Sequence, residues 1–322
     1  MLVQSKICRS GPAGPAISTP GIPQGSILGP ILFTVFINDL PDCVHSVCKI
    51  FADDTKVYDS CTNQARLQDD LHSLHDWSNK WQLHFNASKC KCLHYGRGNP
   101  ITKYTITPMD ASATIQDCTE EKDLGVIFDD TLKFDIHITT AINKANMMIG
   151  LIRRNFSFID KDTFNKLYKA LVRPHLEYAH CIWYPQFKRQ SVAIENVQRR
   201  ATKLVQNISR WPYESRLRML NLPSLKYRRL RGDMIQVFKI LNDKDDIKSE
   251  HFFSEPMVQY TRGHDHKLYV AACKTISRKY SFSHRVVQVW NSLPNIVVCA
   301  KDTNQFKKLL DGTLEKQIYE FD

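Results

Sequence analysis

Apolar positions along this chain change their period several times, and each change marks an element. From Ile31 to Leu40 they run almost unbroken, which predicts a buried helix that begins at Pro30, a residue suited to a first helical turn, and ends at Pro41. Two short runs, Lys49-Ile50-Phe51 and Lys56-Val57-Tyr58, flank Ala52-Asp53-Asp54 and predict a hairpin with adjacent carboxylates at its tip. Leu67, Leu71, Leu74, Trp77 and Trp81 recur at helical spacing and make residues 64–82 an amphipathic helix packed on a sheet. A strand is expected over residues 89–95.

Further on the pattern is helical. Ile142, Ala145, Ile149 and Ile152 mark one helix; Phe164, Leu167, Tyr168 and Leu171 mark a second, which Pro174 should stop. Ile194, Val197, Ala201, Leu204 and Ile208 mark a third, whose opposite face carries Arg199, Arg200 and Lys203. The polar stretch from Asn242 to Glu255 reads as a linker, and residues 283–291 and 303–311 as short helices. No internal repeat or low-complexity tract is present.

Charge sharpens this division. The net charge is +11, yet residues 136–240 alone hold 20 Lys and Arg against 6 Asp and Glu, so the rest of the chain is slightly acidic. A cationic helical segment is either a solvated face or a grip on phosphates. At 322 residues the chain can bury a sizeable core and divide into two or three domains.

The candidate chemistry lies at the acidic hairpin and just before it. Two hard anionic ligands side by side at Asp53 and Asp54 suit a magnesium ion, although Asp-Asp is also ordinary turn chemistry. Upstream, Gly21, Gly25 and Gly29 let backbone approach a flat or anionic ligand closely. The string Pro23-Gln24-Gly25-Ser26-Ile27-Leu28-Gly29-Pro30, followed by Phe51-Ala52-Asp53-Asp54, resembles motifs B and C of the palm of reverse transcriptases, specifically those of non-LTR (LINE-type) retrotransposons. Leu83-His84-Phe85-Asn86 with Lys89-Cys90-Lys91-Cys92-Leu93-His94-Tyr95 resembles motif D, and Glu121-Lys122-Asp123-Leu124-Gly125-Val126-Ile127 resembles motif E. Leu171-Val172-Arg173-Pro174-His175-Leu176-Glu177-Tyr178-Ala179, Ile182-Trp183 and Val197-Gln198-Arg199-Arg200-Ala201 resemble the region after motif E of these elements, and Phe282-Ser283-His284-Arg285 and Trp290-Asn291-Ser292-Leu293-Pro294 resemble their carboxyl end.

The resemblance implies an α+β chain: a partial polymerase palm of antiparallel sheet and packed helices over residues 1–134, a basic thumb-like helical domain over 135–241, and a linker with a carboxyl-terminal region of unassigned role over 242–322. It implies RNA-directed DNA synthesis with Mg2+ (or Mn2+) held by Asp53 and Asp54, and with Lys89 near the leaving pyrophosphate. Pro23, Gln24, Gly25 and Ser26 would line the template-nucleotide site, Leu124 and Gly125 would hold the primer end, and Arg199, Arg200 and Lys203 would bind nucleic acid. Partners would be an RNA template, a DNA primer and deoxynucleoside triphosphates. The family also places one Asp on a motif A strand before motif B, and residues 1–20 contain no Asp or Glu. The reading is therefore of a polymerase truncated at its amino end, lacking motif A and fingers and inactive alone; a non-catalytic RNA-binding protein and a relic reading frame are the alternatives.

The ten cysteines include no Cys-x-x-Cys pair. Cys90, Cys92 and His94, and separately His264, His266 and Cys273, lack a fourth ligand at ordinary zinc spacing. Scattered free cysteines suit a reducing compartment, nuclear or cytoplasmic. The longest apolar run, near Ile27 to Ile37, is too short for a membrane span, and the first twenty residues lack a signal-peptide core. An intracellular chain with no membrane partner is expected.

Overall fold

The computed structural model describes residues 2–6, 27–96, 98–106, 113–254 and 264–321. Pro23, Gln24, Gly25 and Ser26 lie outside the described residues. The chain divides into two compact units, Met1–Leu132 and Lys133–Asp322. No helix among the described residues is long and apolar enough to cross a membrane.

The first unit is α+β. Its elements are β1 (Leu2–Lys6), α1 (Leu28–Ile37), β2 (Val47–Phe51), β3 (Asp54–Tyr58), α2 (Gln64–Trp81), β4 (Lys91–Leu93), β5 (Thr105–Ile106), β6 (Ala113–Thr114), β7 (Gln116–Cys118), β8 (Glu120–Asp123) and β9 (Val126–Asp129). Five strands form one sheet in the order β2-β3-β1-β4-β7, antiparallel except for the parallel β4–β7 pair. The stripe of α2 behaves as its period predicts: Leu67, Leu71, Leu74 and Trp77 are buried with Val57, Cys92, Tyr104 and Ile115. Trp81 lies at the helix end and is half exposed, touching Phe36 edge-on with ring centroids 5.3 Å apart.

Two side chains of α2 and its neighbours fix the approach to the hairpin. The buried Asp70 carboxylate accepts hydrogen bonds from the backbone N–H groups of His45 and Ser46, each at 2.8 Å. The Trp77 indole N–H donates to Asp39 Oδ1 at 3.0 Å. The helix expected to be buried, α1, is not: Phe33, Ile37 and Leu40 meet the core, while Leu28, Ile31, Leu32 and Val35 are 50–70% exposed. An apolar run all round one helix cannot be buried against a neighbour on one side only, so the side of α1 away from the core stays uncovered.

Among the described residues the regular elements of the second unit are helices: α3 (Asp135–Asn155), α4 (Lys161–Leu167), α5 (Arg173–Glu177), α6 (Lys188–Ala201), α7 (Tyr213–Leu220), α8 (Leu225–Leu241), α9 (Ile276–Lys279), α10 (Phe282–Ser292), α11 (Asn295–Val298) and α12 (Thr303–Thr313). Pro174 was expected to stop the helix that begins in α4, and it does not. A π-helical turn over Tyr168–Val172 widens the ladder there, and the chain continues into α5 with Pro174 in its first turn, where a missing N–H is tolerated. The residues actually buried are Phe164, Tyr168, Val172 and Leu176. Their unbroken spacing of four drifts around an α-helix but suits a helix that contains one wider turn.

Residues beyond 241 share a core with α8. Met234, Val237 and Phe238 pack with Val286, Trp290, Phe306 and Leu310, and the Phe238 and Phe306 rings stack at 4.3 Å. Arg285 on α10 donates to both oxygens of Asp233 on α8, each at 2.9 Å, and to the carbonyls of His180 and Cys181. The polar stretch read as a linker folds back on α8 in its described part: Asp245 accepts from Gln236 and Lys239, and Phe253 joins the core.

Candidate active site

Strands β2 and β3 pair in register up to Phe51 opposite Asp54, which leaves Ala52 and Asp53 as a two-residue turn. Ala52 takes φ +53°, the positive value that the first central position of such turns demands and that glycine ordinarily supplies. The tip is thus held in a conformation its sequence does not favour. Asp53 is exposed at this tip, and Asp54, half-buried, opens β3. The hairpin expected from sequence is present with both acids where they were read.

Strand alternation puts Asp54 and Lys56 on one face of β3, about 7 Å apart along the strand. Lys56 is buried and forms an ion pair with Asp123, the last residue of β8. Next to Asp123, Leu124 (φ +43°) and Gly125 (φ +90°) make the two-residue turn between β8 and β9. Both central residues of that turn have positive φ, so glycine answers one demand and Leu124 meets the other under strain. Lys91 on β4 reaches Glu121 on β8 at 2.7 Å, a second tie to the same hairpin. The tip bearing Leu124 and Gly125 is therefore anchored two residues behind the acids by a charge pair that is mostly out of water. Neither Lys56 nor Asp123 stood out in the sequence, because their pairing spans 67 positions.

Lys89 is exposed in a 3-10 turn over Ala87–Lys89, with β4 beginning only at Lys91; the strand expected over 89–95 is shorter than read. Asn86 stops it by accepting from Ser88 N at 3.1 Å and so bending the chain. On β1, the strand beside β3, the register partner of Asp54 is Lys6, and its sequence Leu2-Val3-Gln4-Ser5-Lys6 contains no acid. Among the described residues, no third Asp, Glu, His or Cys gathers with Asp53 and Asp54 into a metal-sized group.

The basic residues of the second unit divide sharply. Gln190 donates to Asp135 at 2.7 Å, Arg200 to Asn146 at 2.9 Å, and Gln206 to the Ser157 carbonyl at 2.8 Å. These three contacts advance together along both segments, so α3 and α6 run parallel and their carboxyl ends lie side by side. Arg153, Arg154, Arg200 and Lys203 are exposed around those ends. Arg199 is not among them: its guanidinium lies over Tyr213 at 4.9 Å and over Phe321 at 5.5 Å. Others are committed internally, with Arg228 on Glu177, Arg231 on Asp311, and Arg216 and Arg229 buried.

Gln198, the residue before Arg199, is equally internal. Its Oε1 accepts from Tyr168 OH at 2.5 Å, and its Nε2 donates to Tyr213 Oη at 3.1 Å and to the Pro223 carbonyl at 3.0 Å. Tyr213 in turn donates to Glu195 at 2.6 Å, whose other oxygen accepts from Leu225 N at the start of α8. Burial pushes the Glu195 carboxyl up, and the Tyr213 hydroxyl partly opposes that. His137 is buried edge-on to Trp183 at 5.0 Å, and burial, with Lys144 adding to it, lowers its pKa to about 4.

The faint metal sets read from sequence are rearranged. Cys90 turns to the Asn86 carbonyl, while Cys92 and His94 meet Asp117. His264 is hydrogen-bonded through Nε2 to the Trp290 carbonyl, and Cys273 is exposed, so His264, His266 and Cys273 do not gather.

The segment that carries the hairpin also matches a known family. The reverse transcriptase (RNA-dependent DNA polymerase) family matches residues 5–128. The chain is 30% identical over 245 residues to the RNA-directed DNA polymerase from mobile element jockey of Drosophila funebris, covering 70% of this chain and 26% of that protein. It is 27% identical over 202 residues to the probable RNA-directed DNA polymerase from transposon X-element of Drosophila melanogaster, covering 58% and 21%. The probable polymerase from transposon BS of the same species is 28% identical over 209 residues, covering 59% and 23%. No solved structure matches the chain. The chain spans about a quarter of the length of these relatives. Residues 5–128 are thus similar to the reverse transcriptase family, and the relatives are RNA-directed DNA polymerases of mobile elements.

Proposed function

We propose that this chain supplies the metal-binding hairpin and a nucleic-acid-holding helical unit of a retrotransposon RNA-directed DNA polymerase. The observation that carries this reading is the strained two-residue turn at Ala52-Asp53, which presents Asp53 and Asp54 together within the reverse transcriptase segment. The donor set fits one hard divalent ion, Mg2+ or Mn2+, which keeps some waters and takes phosphate oxygens as further ligands. Bound there, the ion supplies Lewis-acid stabilisation to a primer hydroxyl or a departing pyrophosphate. Asp53 and Asp54 hold and orient it; Leu124 and Gly125, steadied through the Lys56–Asp123 pair, support the primer end. Lys89 serves the pyrophosphate, and Pro23, Gln24, Gly25 and Ser26 line the template-nucleotide site. A second ion needs a carboxylate beyond those described, since β1 contributes none.

The reading is tested by primer extension on an RNA template with deoxynucleoside triphosphates. The 322 residues alone are expected to incorporate nothing, whatever metal is supplied. Joined to the preceding fingers and motif A segment of a jockey-type relative, the chain should extend a primer, and Asp53→Asn should reduce extension by at least about 100-fold, the effect of losing several kcal/mol of metal-based stabilisation. Extension that survives Asp53→Asn in the joined protein refutes the assignment of the hairpin.

A second reading, nucleic-acid binding without chemistry, is favoured by one separate observation. The exposed cations Arg153, Arg154, Arg200 and Lys203 gather at one end of α3 and α6, in a unit that does not contain the acidic hairpin.

A further inference from the structure

We propose that Cys92, His94 and Asp117 bind one zinc-class divalent ion that ties strand β4 to strand β7. Cys92 lies in β4 and His94 directly follows its last residue, and the two side chains meet. Asp117 is the register partner of Cys92 on the parallel strand β7, which brings its side chain to the same face. His94 Nε2 lies 3.2 Å from Cys92 Sγ and 3.3 Å from Asp117 Oδ1, and the three donor atoms are all within 4.8 Å of one another. A tetrahedral zinc ion with bonds of about 2.0–2.3 Å has ligand-to-ligand edges of about 3.3–3.6 Å.

Asn99 fixes the histidine tautomer. Its Nδ2 donates to the Tyr95 carbonyl at 3.2 Å and its Oδ1 accepts from Ile101 N at 3.2 Å, so Oδ1 is the atom facing His94 Nδ1 at 3.3 Å. Nδ1 must therefore carry its hydrogen. Nε2 then directs a lone pair toward a carboxylate oxygen and a sulfur, three electron-rich atoms around one point with Cys92 fully buried and His94 nearly so. Without a metal the Cys92 S–H, a weak donor, satisfies one of these contacts; a divalent cation in place of that proton would satisfy all three. A second proton on the imidazole would satisfy Asp117 but gives no reason for the sulfur to converge there. A thiolate, an imidazole and one carboxylate form a set suited to zinc and unlike the all-oxygen pair at Asp53 and Asp54. Lys103 takes the outer oxygen, Oδ2, of Asp117 and leaves Oδ1 turned inward. Asn99 is the outer partner that orients a metal-bound histidine, and water completes the tetrahedron.

Cobalt(II) tests the site, because a sulfur-to-cobalt charge-transfer band reports a bound thiolate and the ligand-field bands report four-coordination. The full chain is used with Cys8 and the exposed Cys61, Cys273 and Cys299 replaced by serine. The expected result is one equivalent of thiolate-bound cobalt per chain, displaced by zinc, with the charge-transfer band lost in Cys92→Ser and kept in Cys90→Ser. Asn99→Ala should weaken binding about 10- to 100-fold. Should Cys92→Ser fail to fold, Asp117→Asn, which preserves shape, is expected to weaken cobalt binding at least about tenfold. Absence of saturable binding, a band that persists in Cys92→Ser, affinity unchanged in Asp117→Asn, or nitrogen NMR showing His94 doubly protonated in excess zinc would each overturn the proposal.

Discussion

At the scale of single residues, several side chains that resemble a binding motif prove to be internal. In the string Val197-Gln198-Arg199-Arg200-Ala201, Gln198 links Tyr168 to Tyr213 and Arg199 stacks on Tyr213, so Arg200 alone faces outward. Charge and helical period gave the face of the helix but could not reveal that an aromatic pair from distant segments would cover Arg199. His137 allows a test by pH. An exposed histidine titrates near 6.5, whereas this one titrates at about 4. Between those values the unfolded chain binds the extra proton, so stability is complete above pH 6.5 and falls as pH drops toward 4. The loss is on the order of 3 kcal/mol at the acid end. In His137→Gln, urea midpoints measured across this window should vary less with pH than in the parent. An equal slope in both proteins removes His137 as the cause.

Among elements, those set by local pattern were legible and those set by remote contact were not. The β2–β3 hairpin, α2, α10 and α12 fall where residue period and turn chemistry put them. The continuation through Pro174 and the exposure of α1 were hidden, the first because a wider turn leaves no composition signal, the second because apolarity does not say what stands opposite. Asp53 and Asp54 were readable as a pair, while Lys56–Asp123 and Asp117 were not, since pairing across strands carries no local signature. The grouping of Arg153, Arg154, Arg200 and Lys203 has two physical explanations: cations favour helix carboxyl ends, and they also hold phosphates. Salt separates the two. Neutralising all four by glutamine should weaken binding to an RNA–DNA hybrid and lower the slope of log affinity against log salt by roughly 0.9 for each lost duplex phosphate contact. An unchanged slope would leave those cations with the helix-end role alone.

For the molecule as a whole, each unit has its own interior. The first buries Leu67, Leu71 and Leu74 with Tyr104 and Ile115, and the second buries Phe238, Trp290, Phe306 and Leu310. Residues 133–322 produced alone should therefore unfold in a single cooperative thermal transition and retain the salt-dependent hybrid binding of the full chain. A broad, non-cooperative melt would mean that this interior depends on the first unit.

The wider turn at Tyr168–Val172 gives this segment a tolerance of one residue in its length as well as in its composition. One residue of an α-helix corresponds to about 100° of rotation. Deleting Lys169 would let the segment close into regular α-helix, and the spacing of Phe164, Tyr168, Val172 and Leu176 would become four, three, four, which keeps all four within about 60° of one another on the buried side. Lys169→Ala, which keeps the count, should leave the melting temperature within about 1–2 °C, as surface substitutions usually do. The one-residue deletion should likewise keep a cooperative melt, so natural variation here is expected to include chains one residue shorter as well as changes of letter.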